Sequence, residues 1–258
     1  VKAELGTLEV NPRAIDLKDS LAKVWEISKE LIQNKGLQGI LIVDKNVPPN
    51  LLLDPYRITQ ILFNLTGNAV KFTHEGSIKI RVKWLSRVAK ITDKAFEPLP
   101  YDDFDEGLLD KDANLVSTQN GNESFEILRS KDLINLNSSD LVEEIGVLKI
   151  IVQDTGCGMT QKELKKLFYK FSQVSKDSAT RQMGTGLGLY ITKQLVTKMN
   201  GDIRAYSKEN VGSTFIVCIP TASCPVTESS LRSKPEVERI LKRRKLRVIV
   251  ADDVQYNI

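Results

Sequence analysis

From Asp54-Pro55 to about Thr73, apolar residues return at helical spacing. Ile58, Ile61, Leu62, Leu65, Ala69 and Phe72 fall on one stripe when each residue is turned by about 100°. Asp54 as cap and Pro55 at the first helical position predict where this helix starts. A second stripe of Arg57, Gln60, Asn64, Asn68 and Lys71 runs roughly a quarter turn away, so polar groups lie beside the packed face at the edge of a cleft. An earlier helix is expected after the cap Asp16, with Leu17, Leu21, Val24, Leu31 and Ile32 and an end near Gly36. Leu37 to Asp44 reads as the next strand. Alternation of Ile78, Ile80, Val82 and Trp84 predicts a half-buried strand, and the run Leu148 to Val152 a buried one. Thr160-Gln-Lys-Glu163 has the form of a capping box, opening a helix with Leu164, Leu167, Phe168 and Phe171 on one packing face. Ser172 to Met183 is polar and aperiodic, a mobile segment in the position of a lid. A last helix carries Leu189, Leu195, Val196 and Met199 and stops at Asn200-Gly201.

Three segments within this pattern carry chemistry. Asn64 and Asn68, one turn apart, can aim carbonyl oxygens at one hard cation, and Lys71 on the same stripe can neutralise phosphate. An ordinary solvated amide face would look the same. Asp154 falls just past a strand end, before a turn through Gly156 and Gly158. A carboxylate there can accept the exocyclic amine of adenine and disfavours the carbonyl of guanine, although Asp-x-Gly is also common turn chemistry. Gly184, Gly186 and Gly188 open the last helix, where free N–H groups can meet phosphate oxygens. No Gly-Lys-Ser/Thr follows, which excludes a P-loop, and the third glycine comes one residue early for a dinucleotide fingerprint.

In this order, with Leu167-Phe168-Tyr-Lys-Phe171-Ser172-Gln173 between them, the segments resemble the N, G1, F and G2 boxes of the catalytic and ATP-binding domain of sensor histidine kinases. Val211-Gly212-Ser213-Thr214-Phe215 is similar to the last box of that family. The resemblance covers about residues 1–85 and 146–221. It implies an α+β fold, a two-layer α/β sandwich of the Bergerat kind, with a mixed sheet packed on three helices. It implies ATP and Mg²⁺ as cofactors. Asn68 would be the principal Mg²⁺ ligand supported by Asn64, and Lys71 would contact phosphate. Asp154 would bind adenine, with Gly156, Gly158 and Thr214 completing the base pocket. Gly184, Gly186 and Gly188 would shape the lid and phosphate turn. Phe72, Met159, Phe171, Arg181, Thr185, Leu187 and Leu189 would complete the ATP contacts. The activity implied is transfer of the γ-phosphate to a protein histidine. A nucleotide-gated interaction module without catalysis is the alternative reading, and a gyrase-type or chaperone ATPase a lesser one.

The flanks refine this picture. Residues 1–10 resemble the end of the dimerising phosphoacceptor hairpin, and 246–258, with Asp252 and Asp253, the truncated start of a receiver domain. The resemblance is thus to an internal piece of a hybrid kinase, cytoplasmic and homodimeric in the full protein, whose partners are the upstream hairpin and a receiver. The single histidine, His74, belongs to a turn and is not expected to be the acceptor. Residues 11–221 would form the catalytic domain, interrupted at about 86–145 by an acidic insertion expected to be a solvated loop. Residues 222–245 form a basic linker without interleaved aromatics, which argues against nucleic acid. The net charge of +4 hides these opposed patches. Three cysteines without metal spacing suit a reducing compartment, and no apolar run is long enough to span a membrane.

Overall fold

The computed structural model describes residues 9–86, 91, 93–96, 144–172 and 186–225, and the backbone of 114–116. These belong to the compact unit Val1–Cys224, apart from Pro225, the first residue of a second unit. Residues 1–8 of the expected hairpin end, most of the expected lid, the expected basic linker after 225 and the expected receiver start lie outside the described residues.

In chain order the elements are β1 (Arg13–Asp16), α1 (Leu17–Asn34), β2 (Gln38–Val43), β3 (Asn50–Leu53), α2 (Pro55–Phe72) and β4 (Ser77–Ser86). After them come α3 (Asp93–Phe96), β5 (Asn114–Val116), β6 (Glu144–Asp154), α4 (Gln161–Leu164), α5 (Gly188–Lys198), β7 (Asp202–Lys208) and β8 (Gly212–Ser223). One mixed sheet runs β1-β3-β8-β6-β4-β2, with β7 also on β8 and β5 on β7. Only β2 and β4 pair in parallel among the described strands. α1, α2 and α5 cover one face, as the two-layer sandwich requires.

Local chemistry explains the helix starts. Asp16 accepts from the N–H groups of Lys18 and Asp19, and Asp54 from those of Tyr56 and Arg57, with Pro55 at the first helical position. Ile58, Ile61, Leu62, Leu65 and Ala69 are buried as the stripe requires, and Phe72 at its end is half-buried. Leu31 corrects the expected α1 face: it is 49% exposed, because Leu21, Val24, Ser28 and Ile32 define the buried side and Leu31 lies off it. The helix expected after Thr160 closes its capping box but lasts one turn, and Phe171 beyond it is 71% exposed rather than packed.

The other sheet face carries the larger departure. Ile91, Ala95 and Phe96, within the stretch expected to be a solvated loop, are buried with Val147, Ile151, Ile216 and Cys218. Arg204, 3% exposed, bonds Asp93 at 2.8 Å and stacks over the Phe96 ring at 4.1 Å. Tyr206 donates its hydroxyl proton to the Phe96 carbonyl at 2.8 Å. β5 extends the sheet through Leu115 opposite Tyr206. Among the described residues no helix is long and apolar enough to cross a membrane.

Phe96 is fully buried, so Phe96→Ala is expected to cost about 3 kcal/mol or more. The exposed Tyr169→Ala should stay within about 0.5 kcal/mol. Urea denaturation midpoints check both; equal midpoints would show that this segment is not part of the core.

Candidate nucleotide site

The site begins at the end of β6. Asp154 is 4% exposed, and its Oδ1 accepts the Gly156 N–H at 2.9 Å while the Ser213 backbone also donates to the carboxylate. Burial outweighs those two bonds and pushes its pKa up to about 6. A carboxylate offers roughly four lone-pair positions, so acceptor capacity remains for a ligand.

The turn after Asp154 is held by backbone and hydroxyl groups. Cys157 N–H donates to the Phe72 carbonyl at 3.2 Å, joining this turn to the end of α2. Asn210 N–H donates to the Cys157 carbonyl at 2.7 Å. Ser207 Oγ accepts the Met159 N–H at 2.8 Å, donates to the Gly212 carbonyl and meets Ser213 Oγ at 3.0 Å. Gly158 sits at φ +63, and a Cβ there would collide with the Lys208 carbonyl, so both its conformation and its close approach need glycine.

The helical side supplies the rest. Asn64, half-buried on α2, donates through Nδ2 to Thr192 Oγ1 on α5 at 2.5 Å, with Gly188 beside its Oδ1. Asn68 lies one turn on, half-buried, and makes no side-chain hydrogen bond to another described residue. Lys71 Nζ rests 4.8 Å from the Phe72 ring centroid. Lys35 Nζ donates to the Val70 and Lys71 carbonyls at 2.6 and 3.1 Å, closing the C-terminal end of α2. Gly186 backs onto the Phe171–Ser172 backbone, while Leu187 caps α5 and Leu189 packs against the core. The structure thus joins the turn Asp154, Gly156, Gly158 and Met159 to Phe72 at the end of α2, and Asn64 of the same helix to Gly188 and Thr192 of α5. Arg181, Gly184 and Thr185 lie outside the described residues.

Asp154 pairs with Ser213 across β6 and β8, and strand alternation turns Thr214, expected to complete the base pocket and opposite Gln153 and Tyr206, to the other sheet face. On the face of Asp154 it is Ser213, with Ser207, that holds the turn. The signal was the period of two through Ser213, Phe215 and Val217, whose apolar members pack on the helices.

The donors suit a hard cation held together with a nucleotide. Amide oxygens on one helix stripe are the ligand type Mg²⁺ takes, and Asn68 has its amide uncommitted among the described residues. No group of three His, Cys, Asp or Glu side chains that would hold a metal occurs among the described residues.

A model of the histidine kinase-, DNA gyrase B- and HSP90-like ATPases matches residues 126–223. The chain is 32% identical over 216 residues to probable histidine kinase 5 of Oryza sativa subsp. japonica, covering 83% of this chain and 18% of that protein. It is 29% identical over 231 residues to hybrid signal transduction histidine kinase B of Dictyostelium discoideum, covering 90% of this chain and 9% of that one. Full-length ShkA, solved in complex with AMPPNP, shares the fold with a TM-score of 0.54 at 22% identity, over 86% of this chain and 34% of that one. Residues 126–223 thus carry the domain of the histidine kinase-, DNA gyrase B- and HSP90-like ATPase family. Within it, the relatives are histidine kinases, hybrid ones included, and the chain spans less than a fifth of the length of the two compared here.

Asp154 has a testable effect on the ligand-free fold. Its folded pKa of about 6 lies above the ordinary aspartate value of 3.8, so the folded state binds the extra proton between those values. The stability it contributes is complete below about pH 4 and lost as pH rises through about 6, roughly 3 kcal/mol in all. Asp154→Asn is expected to flatten that slope in denaturation curves taken from pH 4 to 7. An unchanged slope would mean the carboxylate is not buried in solution.

Proposed function

We propose that this chain is the ATP-binding catalytic part of a hybrid histidine kinase, binding ATP with Mg²⁺ and transferring the γ-phosphate to a histidine on a separate hairpin. One observation supports the reading: the turn after the buried acceptor carboxylate Asp154 is bonded, through the Cys157 N–H and the Phe72 carbonyl, to the end of α2, the helix that carries the amides Asn64 and Asn68 about ninety residues earlier in the chain.

Asp154 accepts the exocyclic amine of adenine. Met159 and Phe72 line the base, and the backbone of the Gly156–Gly158 turn lets it approach. Asn68, with Asn64 beside it, holds the cation, and Lys71 swings off the Phe72 ring toward phosphate. When bound, Mg²⁺ neutralises charge on the phosphate oxygens. The first turn of α5, opening at Gly188, offers phosphate oxygens N–H groups that have no acceptor within the helix. Gly184, Thr185, Gly186 and Arg181 complete the residues assigned to ATP binding. In the transfer, an imidazole nitrogen forms a bond to the γ-phosphorus as the bond to the bridging oxygen breaks, and ADP leaves. This chain contributes positioning and charge stabilisation, while the nucleophile comes from the hairpin that residues 1–10 continue.

The phosphoryl group then passes to a receiver aspartate, in cis beyond residues 246–258 or in trans. The parent is a homodimer through its hairpin, and the domain works in the cytoplasm, where ATP is available and the free thiols of Cys157, Cys218 and Cys224 stay reduced.

Two measurements test the proposal. Titration calorimetry with ATP should give affinity that rises with Mg²⁺, and Asn68→Ala should lose about tenfold or more of the Mg²⁺-dependent part. Adding the parent hairpin and γ-labelled ATP should yield acid-labile label on the hairpin histidine. ATP binding without any label would support a nucleotide-gated module instead, and absence of ATP binding would overturn both.

A further inference from the structure

Asn64 contributes an amide, and an amide has two faces of nearly equal size and opposite polarity. Its oxygen attracts a cation; its NH₂ repels one. Rotation by half a turn exchanges them, so a cation-binding asparagine on a helix needs a neighbour that selects the flip. α5 provides two such neighbours. Thr192 is 1% exposed, and its Oγ1 lies 2.5 Å from Asn64 Nδ2. One turn earlier, Gly188 is so close to Asn64 Oδ1 that a Cβ could not be added without collision. Gly188 is the first residue of α5, where the N–H groups lack partners within the helix. Those donors favour an oxygen over an NH₂. The threonine hydroxyl can accept or donate, and with the amide oxygen toward the helix start it accepts from the NH₂, so one orientation satisfies both neighbours.

We propose that Thr192 is a positioning residue for the nucleotide site: it holds the Asn64 amide nitrogen so that the carbonyl oxygen, not the NH₂, is offered toward the start of α5. This rests on the function proposed above, in which Asn64 supports the cation. It adds a residue outside the four sequence boxes, buried and without a place in the ligand shell. Gly188 acquires a second role as well: besides freeing backbone for phosphate, it leaves room for the Asn64 oxygen.

The test compares Thr192→Val, which keeps the shape and removes the acceptor, with Thr192→Ser, which keeps the acceptor and removes a methyl. ATP affinity is measured for the full chain by calorimetry in Mg²⁺ and in EDTA. Thr192→Val is expected to lose about tenfold in the Mg²⁺ arm, with a much smaller change in EDTA, and Thr192→Ser to keep the wild-type gain. A Thr192→Val chain with the full Mg²⁺ gain overturns the proposal, and so does a Thr192→Ser chain that loses as much as the valine variant, since packing alone would then explain both. A wild-type chain that binds ATP with no Mg²⁺ gain sinks the functional reading itself, and this inference with it. Should Thr192→Val not fold, the Asn64 side-chain amide resonance of the wild type carries the test. Slowed exchange of one amide proton is expected, and free exchange of both overturns the proposal.

Discussion

The structure depends on keeping a carboxylate out of water at the end of a strand. Asp154 is buried, and burying it disfavours its charged form, as the raised pKa records. What holds it there is backbone: the Gly156 and Ser213 N–H groups on the carboxylate, the Phe72 carbonyl on Cys157, and the Asn210 N–H on the Cys157 carbonyl. Contact of main chain with main chain requires that side chains be absent at the crossing, and Gly158 against Lys208 is where that requirement is strictest. A site built this way is stiff around Asp154, because few of its holding groups can rotate. The amide and lysine side, carried by α2, can adjust.

The insertion interrupts the chain without interrupting the sheet. β4 and β6 pair antiparallel from Ile78 with Asp154 to Ser86 with Gly146, so the connection between them can lengthen with little change in register. Loop closure grows only with the logarithm of length, about 0.6 kcal/mol per doubling. That tolerance also explains why the family model matches only residues 126–223. The half of the domain that contains α2 lies before the insertion, and it is the fold that returns it to the site. The open sheet face makes use of the intruder: Ile91, Ala95 and Phe96 cover Val147, Ile151 and Ile216, which would otherwise leave an apolar patch in water.

Much of this could be read from residues alone, and the failures share a cause. Helix faces with strong caps were legible, since Asp16 and Asp54 announce the start and the stripes follow. Leu31 was misplaced because a leucine one position off a stripe looks like part of it until the partner layer is known. β1 and β3 have four residues each, too few to show a period. Ser213 and Thr214 stand side by side in one motif, and only pairing with β6 decides which side chain shares the face of Asp154. Ile91, Ala95 and Phe96 were hidden because the composition of the long insertion, set by the acidic tract that follows them, describes the whole and not the few residues that anchor it. Ser207 and Thr192 gave no signal at all, because a buried hydroxyl acquires its role only from what the fold brings to it.

α5 links these observations. Its Thr192 meets Asn64, and the next residue, Lys193, lies 3.6 Å from Asp202 and 5.9 Å over the Phe168 ring. Asp202 is 4% exposed and also faces Arg204 at 3.5 Å, the same guanidinium that bonds Asp93 and covers Phe96. A buried carboxylate of this kind needs its cations, since removing either leaves charge without compensation. The rotation of α5 about its axis is thus constrained on one side by a carboxylate that the insertion's clamp also requires, and on the other by an amide that must present its oxygen. Packing of α3 on one sheet face and the orientation of Asn64 on the other are conditions on the same eleven-residue helix. The insertion is for this reason part of the architecture that sets the site, even though no residue of it reaches the cleft among those described.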